Sequence, residues 1–217
     1  MVKVRKIIRV KAGEGTQGAV WVDTLGRAQK RLKPFSLKNL SAERVRASEK
    51  KYKALKQAGC TLPNNMKFDA KKRVISWDNL GPTPSIHPIV EQPRDPKYME
   101  RLFFNGDKFL TRRVARELAR IHSAGYVHSH NPLSSMHAVE MQHGTVAVVA
   151  DLGNITKARV LSKMRTFIDF EDSIKLVPTP RLKNIFAREY LKHNKRDGVR
   201  KLIDENYPVF RLWAGEK

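Results

Sequence analysis

Apolar residues in the middle of the chain follow the spacing of a helix. From about Asp107 onward they recur at intervals of four, four and three, which places them on one face and predicts a buried stripe. They are Leu110, Val114, Leu118 and Ile121. After a polar loop from His128 to Ser135, two short runs at residues 138–142 and 145–150 predict a pair of strands.

The first third of the chain mixes apolar and polar residues in the alternating manner of half-buried strands. A helix interrupts this pattern, beginning near Ser41, a good N-cap residue, and ending at about Gln57 before Gly59. We therefore predict a small five-stranded sheet with one helix. Its strands fall within residues 3–10, 19–26, 27–32 and a hairpin over 65–77.

A glycine-rich string lies between the first two predicted strands. Gly13, Gly15, Gly18 and Val20 match the pattern G-x-G-x-x-G-x-V. Glycines let a hairpin approach phosphates closely, because no Cβ stands in the way, and its amides then face the phosphate oxygens. The same string could open a dinucleotide-binding fold, but that fold needs a helix directly after the third glycine, and here a strand continues.

The order of motifs in the second half resembles the catalytic core of the protein-kinase superfamily. That core has a helix, a His-x-Asp loop with a following Asn, and a strand that ends in Asp-Phe-Gly. Here His128 occupies the histidine position and Asp151 begins an Asp-Leu-Gly turn. His130 occupies the place of the catalytic aspartate, and Ser135 lies near the place of the asparagine.

Asp169, followed by Phe170, competes with Asp151 for the metal-binding turn. Asp151 lies 21 positions after His130, a natural separation for a loop, a hairpin and a turn, whereas Asp169 lies 39 positions after it. We therefore assign the turn to Asp151. The histidines lack a compact zinc-ligand spacing such as H-E-x-x-H, and His122 is expected to pack within its helix rather than bind a metal.

The resemblance also assigns a lysine and a glutamate. Lys30, in the third strand, corresponds to the lysine that bridges the α- and β-phosphates of ATP and pairs with a helix glutamate. Glu49 is the first choice for that partner and Glu43 the second. Read without the resemblance, Lys30 is equally well a solvated lysine among other basic residues.

By resemblance the fold is α+β with two lobes. The N-terminal lobe, residues 1–81, carries the five-stranded sheet and one helix, and the C-terminal lobe, residues 82–217, is minimal and mainly helical. The short chain looks most like small atypical kinases: the RIO kinases, the kinase subunit of the KEOPS tRNA-modification complex, and the bacterial lipopolysaccharide core kinases. ATP and Mg²⁺ are the cofactors that this resemblance implies.

The altered loop predicts weak or lost phosphotransfer. His130, with His128 beside it, replaces an anionic group that accepts the hydroxyl proton, and a protonated imidazole repels a divalent cation. Ser135, predicted near the metal with Asp151, is a poorer ligand than an amide oxygen. Two alternatives stay open: an active atypical kinase, since histidine can act as a general base, and an RNA-binding scaffold that binds no nucleotide.

Charge points to the partner. The formal net charge is +22, which favours a polyanion, with RNA or a ribonucleoprotein first, an anionic membrane surface second, and a protein partner also open. The single cysteine, Cys60, fits a reducing compartment. No apolar run approaches the ~20 residues that span a bilayer, so a soluble cytoplasmic protein without a transmembrane segment is expected.

Overall fold

The computed structural model describes eight stretches of the chain and divides it into two compact units. The first unit comprises Met1–Lys53 and Pro63–Pro82, and the second comprises Ala54–Leu62 and Thr83–Lys217. This division differs from the predicted boundary between residues 81 and 82 in assigning residues 54–62 to the second unit. The described stretches are residues 9–15, 18–32, 38–80, 108–129, 132–139, 145–158, 162–195 and 197–207.

The first unit is built on a five-stranded antiparallel sheet in the order β1-β2-β3-β5-β4. Its strands are β1 Arg9–Gly15, β2 Gly18–Asp23, β3 Arg27–Leu32, β4 Lys67–Asp69 and β5 Val74–Asp78. Helix α1, Lys38–Gln57, lies between β3 and β4 in sequence. Because β5 pairs with β3, the sheet places the hairpin beyond the helix beside the strand that precedes it.

Apolar residues from the sheet and from α1 form the core of the first unit. Leu32 of β3, Val45 of α1 and Ile75 of β5 are buried together, and Phe68 and Trp77 pack against them. The opposite face of α1 carries exposed basic residues. They are Arg44, Arg46, Lys50, Lys53 and Lys56.

The second unit is mainly helical. Its helices are α2 Lys108–Ser123, α3 Ser162–Lys175, α4 Pro180–His193 and α5 Asp197–Asn206. Two small antiparallel pairs accompany them: β6 Tyr126–His128 with β9 Ile155–Lys157, and β7 Met136–Val139 with β8 Val146–Val149. The described part of the chain therefore confirms the α+β class.

The predicted apolar stripe is buried along α2. Leu110, Val114, Leu118 and Ile121 are all in the core of the second unit. Thr179 caps α4, since its hydroxyl accepts a hydrogen bond from the Leu182 amide. None of the described helices is long and apolar enough to cross a membrane.

Residues 60–62 are joined to the second unit by a buried carboxylate. Glu117 of α2 accepts hydrogen bonds from the amide and the hydroxyl of Thr61, at 2.8 and 3.0 Å. Arg120 donates to the same carboxylate at 2.7 Å. On its other side, the Thr61 carbonyl accepts a hydrogen bond from the Val149 amide at 2.9 Å.

Candidate functional site

The predicted phosphate-covering glycines lie in the β1–β2 hairpin of the first unit. Gly15 and Gly18 are backbone partners where the strands meet, and Gly13 faces Val20. On its other side, Val20 faces Lys30 of β3. The glycines and the predicted lysine therefore lie on adjacent strands of one sheet.

Glu49, the predicted partner of Lys30, forms an ion pair within its own helix. Its carboxylate accepts a hydrogen bond from Lys53, one turn further along α1, at 2.7 Å. The Glu49 side chain is 40% exposed, so this contact contributes little to stability. Pairing of Glu49 with Lys30 stays a prediction.

In the second unit His128 is buried with both ring nitrogens in hydrogen-bonding distance of a partner. Its Nδ1 lies 3.0 Å from Oδ2 of Asp169, and its Nε2 lies 2.8 Å from the hydroxyl of Ser135. The His128 amide also donates to Asp169 Oδ2, at 2.8 Å. His128 thus joins the loop that follows it to helix α3. His130 lies outside the described residues.

Asp169 extends this network to helix α2. The same carboxylate oxygen that faces His128 lies 3.0 Å from Nε2 of His122, whose Nδ1 lies 2.6 Å from the Tyr190 hydroxyl. Asn194 donates to that hydroxyl at 2.8 Å. Side chains or backbone groups from α2, β6, α3 and α4 therefore meet at one carboxylate.

The network holds Asp169 as an anion. Burial opposes ionisation and by itself raises the carboxyl pKa, but the charge and hydrogen bonds of His128 and His122 outweigh it and hold the pKa of Asp169 well below its usual range. If each imidazole carries its hydrogen on the nitrogen that faces Asp169, its other nitrogen accepts from Ser135 or Tyr190. One carboxylate with two neutral histidines thus satisfies every ring nitrogen.

Ser135, His128 and Asp169 stand in the order of a hydrolase triad. A hydroxyl faces one imidazole nitrogen and a carboxylate faces the other, which is the arrangement that activates a serine nucleophile. The exposure of Ser135 is 0%, however, so no substrate carbonyl reaches its oxygen. In this chain the arrangement holds the loop together rather than forming a nucleophile.

The Asp-Leu-Gly turn lies beside the same loop. The carbonyl of Ser135 accepts hydrogen bonds from the amides of Ala150 and Asp151, at 2.9 and 3.2 Å. The Asp151 carboxylate caps a short 3₁₀ turn, Leu152–Asn154, because it accepts from the Gly153 amide at 3.1 Å. The structure therefore brings together three of the sequence-predicted residues, His128, Ser135 and Asp151.

Asp151 suits a metal ion better than Ser135 does. The Asp151 carboxylate is half-buried, whereas the Ser135 hydroxyl is fully buried against His128. Among the described residues no group of three or more His, Cys, Asp or Glu side chains forms a metal cluster. Roles for both residues at Mg²⁺ stay predictions.

Sequence reasoning missed the part played by Asp169. It was considered as a rival for the metal-binding turn, but it lies within α3 and faces two histidines. His122, as predicted, is a packed helix histidine. An aspartate flanked by apolar residues in a predicted helix signals burial, but the identity of its partners depends on long-range contacts.

Comparison with known proteins adds one structural neighbour. No protein-family model and no curated protein matches the chain. Among solved structures, one described as WaaP in complex with acyl carrier protein has a TM-score of 0.47 and 17% sequence identity, over 99% of this chain and 83% of that chain.

Proposed function

We propose that this protein binds ATP with Mg²⁺ on a kinase-like fold and has weak or lost phosphotransfer. The observation that carries the proposal is the register of the first sheet, in which Val20 of the glycine-rich hairpin faces Lys30. Backbone amides and a lysine on neighbouring strands are the groups that hold a polyphosphate in kinases. The sheet order, with a helix inserted before its last two strands, supports the same proposal.

Each unit supplies different groups in this proposal. In the first unit the glycine hairpin covers the phosphates and Lys30 contacts the α- and β-phosphates. In the second unit Asp151 contacts Mg²⁺, on a turn that its own hydrogen bond to Gly153 keeps in shape. The bound Mg²⁺ neutralises charge on the phosphates. Ser135 acts through the loop, since its hydroxyl is engaged with His128.

Loss of phosphotransfer follows from the residues at the base position. His128 is buried, and its two nitrogens face Asp169 and Ser135, so it is not available to take a proton from a substrate. His130 is the remaining candidate from the sequence. A missing general base typically costs 10²–10⁴-fold in rate, roughly 3–5 kcal/mol of barrier.

Nucleotide binding is tested by thermal unfolding with ATP and Mg²⁺. A ligand that binds the native state at about one hundred times its Kd stabilises it by roughly 2.7 kcal/mol, so millimolar ATP should raise the Tm by several degrees. Lys30→Ala should reduce the shift, and Lys67→Ala, an exposed lysine of the same sheet, should leave it unchanged. The proposal fails if the wild-type protein shows no shift.

Phosphotransfer is tested by transfer of labelled γ-phosphate in the wild type and two variants. His130→Asp restores the group of active kinases and should gain activity, and Asp151→Asn added to it should abolish that gain. Brisk transfer by the wild type, lost in His130→Ala, would instead establish an active atypical kinase with histidine as its base.

An RNA-binding role is the second candidate, and the net charge of +22 favours it. Phosphate contacts release counterions, so affinity for RNA should fall steeply with salt, by about 0.7 per contact on a log–log scale for single strands. Binding without salt dependence, or equal binding to heparin, argues against it. Anionic vesicles serve as the control for a membrane surface.

A further inference from the structure

A cleft on the second unit collects basic side chains from three helices. It has a volume of about 670 Å³. Helix α2 supplies Arg112 and Arg116, α4 supplies Arg188 and Lys192, and α5 supplies Arg200. The residues of the proposed nucleotide site do not line it, so it calls for an explanation of its own.

One acidic residue lines the cleft, and its charge is already matched. Glu189 accepts two hydrogen bonds from Arg116, at 2.6 and 3.1 Å, and lies 3.0 Å from Nε2 of His193. Burial raises the pKa of this carboxyl, but Arg116 and His193 outweigh burial and hold the pKa below its usual value. This contact also ties α4 to α2 across the floor of the cleft.

The other cations are in surplus. Arg112, Arg188 and Lys192 are exposed, and none of them forms an ion pair with a residue in the described part of the chain. Arg112 and Arg116 are one turn apart on α2, and Arg188 and Lys192 are one turn apart on α4. Like charges at this spacing repel one another and weaken a helix. The arrangement therefore works against folding unless an anion lies over it.

The walls of the cleft suit an anionic backbone better than a small organic ligand. Small-molecule pockets are lined mainly by apolar and aromatic side chains. Of the described residues that line this cleft, Ile185 and Leu191 are apolar and none is aromatic. A nucleobase therefore finds no ring to stack on, which also disfavours a single strand with splayed bases.

We propose that this cleft binds the phosphodiester backbone of a base-paired nucleic acid. Arginine presents a planar fork of donors that matches phosphate oxygens, and four of the five basic side chains are arginines. Duplexes are held through backbone phosphates without stacked bases. The net charge of +22 steers such a polyanion to the protein. The proposal specifies a surface for the nucleic-acid role and does not depend on ATP binding.

The test compares two double variants that remove the same charge. Arg112→Gln with Arg188→Gln alters the cleft, and Arg46→Gln with Arg165→Gln removes two exposed arginines elsewhere. Binding of a labelled RNA hairpin and a DNA hairpin of matching sequence is followed by fluorescence anisotropy at several salt concentrations. Thermal unfolding and the ATP-induced shift, measured in parallel, report on the fold and on the proposed nucleotide site.

The cleft variant should bind about tenfold more weakly or worse, and its salt slope should fall by about 0.9 for each lost contact to a duplex. The control variant should keep most of the affinity. A loss confined to the RNA hairpin identifies RNA as the source of the backbone, and equal losses for both hairpins identify the shared phosphodiester chemistry.

Three results would overturn the proposal. They are equal losses in the two variants, undetectable binding of both hairpins by the wild type at low salt, and displacement of the hairpins by polyglutamate at equal charge concentration. The last result would identify an acidic protein as the occupant. An unchanged ATP-induced shift in the cleft variant separates failure here from failure of nucleotide binding.

Discussion

Two buried carboxylates in the second unit respond to burial in opposite ways. Asp169 of α3 is 7% exposed and Glu117 of α2 is 3% exposed. Burial is the largest influence on both and raises both pKa values. The pKa of Asp169 nevertheless lies well below its usual range, whereas that of Glu117 is raised.

The difference lies in the partners. Asp169 faces the imidazoles of His122 and His128 and accepts from the His128 amide, all inside the protein. Glu117 accepts from the Thr61 amide and hydroxyl and from Arg120, whose side chain is 28% exposed and partly screened by water. A carboxylate's environment is thus decided by who faces it, not by depth alone.

The two groups also connect different parts of the unit. Asp169 connects α3 to α2 and to the loop that precedes Ser135, so the predicted catalytic loop depends on it. Glu117 connects α2 to residues 60–62. Four changes test whether the contrast between these carboxylates is real, and we order them by expected size.

The largest effect is expected for Asp169→Asn. The amide presents donors to two imidazole N–H groups and leaves a buried network broken, which should cost about 3–5 kcal/mol of unfolding free energy. Urea unfolding followed by circular dichroism measures this loss. A change under about 1 kcal/mol would show that the network contributes little.

The pH dependence should separate the two carboxylates in sign. Asp169 has a folded pKa below its unfolded value of about 3.9, so its contribution is complete above that pH and is lost as the pH falls further. The stability difference between the wild type and Asp169→Asn should therefore shrink below about pH 4.

Glu117 should show the opposite trend. Its folded pKa is raised above the unfolded value of about 4.3, so its contribution is present below that pH and declines as the pH rises through the folded pKa. The wild type should gain stability relative to Glu117→Gln on acidification. Parallel trends in the two variants would remove the contrast.

A smaller loss is expected for Glu117→Gln at neutral pH. The amide oxygen can still accept from Thr61, and the cost of burying a charge disappears, so we expect about 1–2 kcal/mol for the weakened bond to Arg120. Urea unfolding again measures it. A loss as large as that of Asp169→Asn would mean that both carboxylates act alike.

The smallest effect concerns the Cys60 thiol, which lies beside Glu117. Burial first, and the Glu117 charge second, raise its pKa far above the usual range, so the native protein should react slowly with iodoacetamide. Glu117→Gln should increase labelling slightly, as measured by mass spectrometry. Rapid labelling of the wild type would show that the segment around Cys60 opens readily.

Local patterns predicted the elements that depend on neighbouring residues. The spacing of Leu110, Val114 and Leu118 predicted the buried face of α2, because a helix repeats its face every three to four residues. The β-branched runs on either side of Gly144 predicted the pairing of β7 with β8, since a short connection favours a hairpin. Both rest on contacts that are close in sequence.

The boundaries at the glycine-rich hairpin differed from the prediction. The first strand was expected over residues 3–10, with Gly13 and Gly15 in a loop. In the structure β1 continues through both glycines to Gly15, and pairing resumes at Gly18. Alternation did not reveal this, because glycine has no side chain to mark a face of the sheet.

By itself the sequence determined the α+β class, the stripe of α2 and the order of the motifs, because each depends on residue spacing and turn chemistry. The tertiary structure decided which charges meet. Asp169 lies 41 positions from His128 and 47 from His122, and Arg116 lies 73 positions from Glu189. Such pairs depend on how α2 packs against α3 and α4, and electrostatic contacts across that distance leave no periodic trace in the chain.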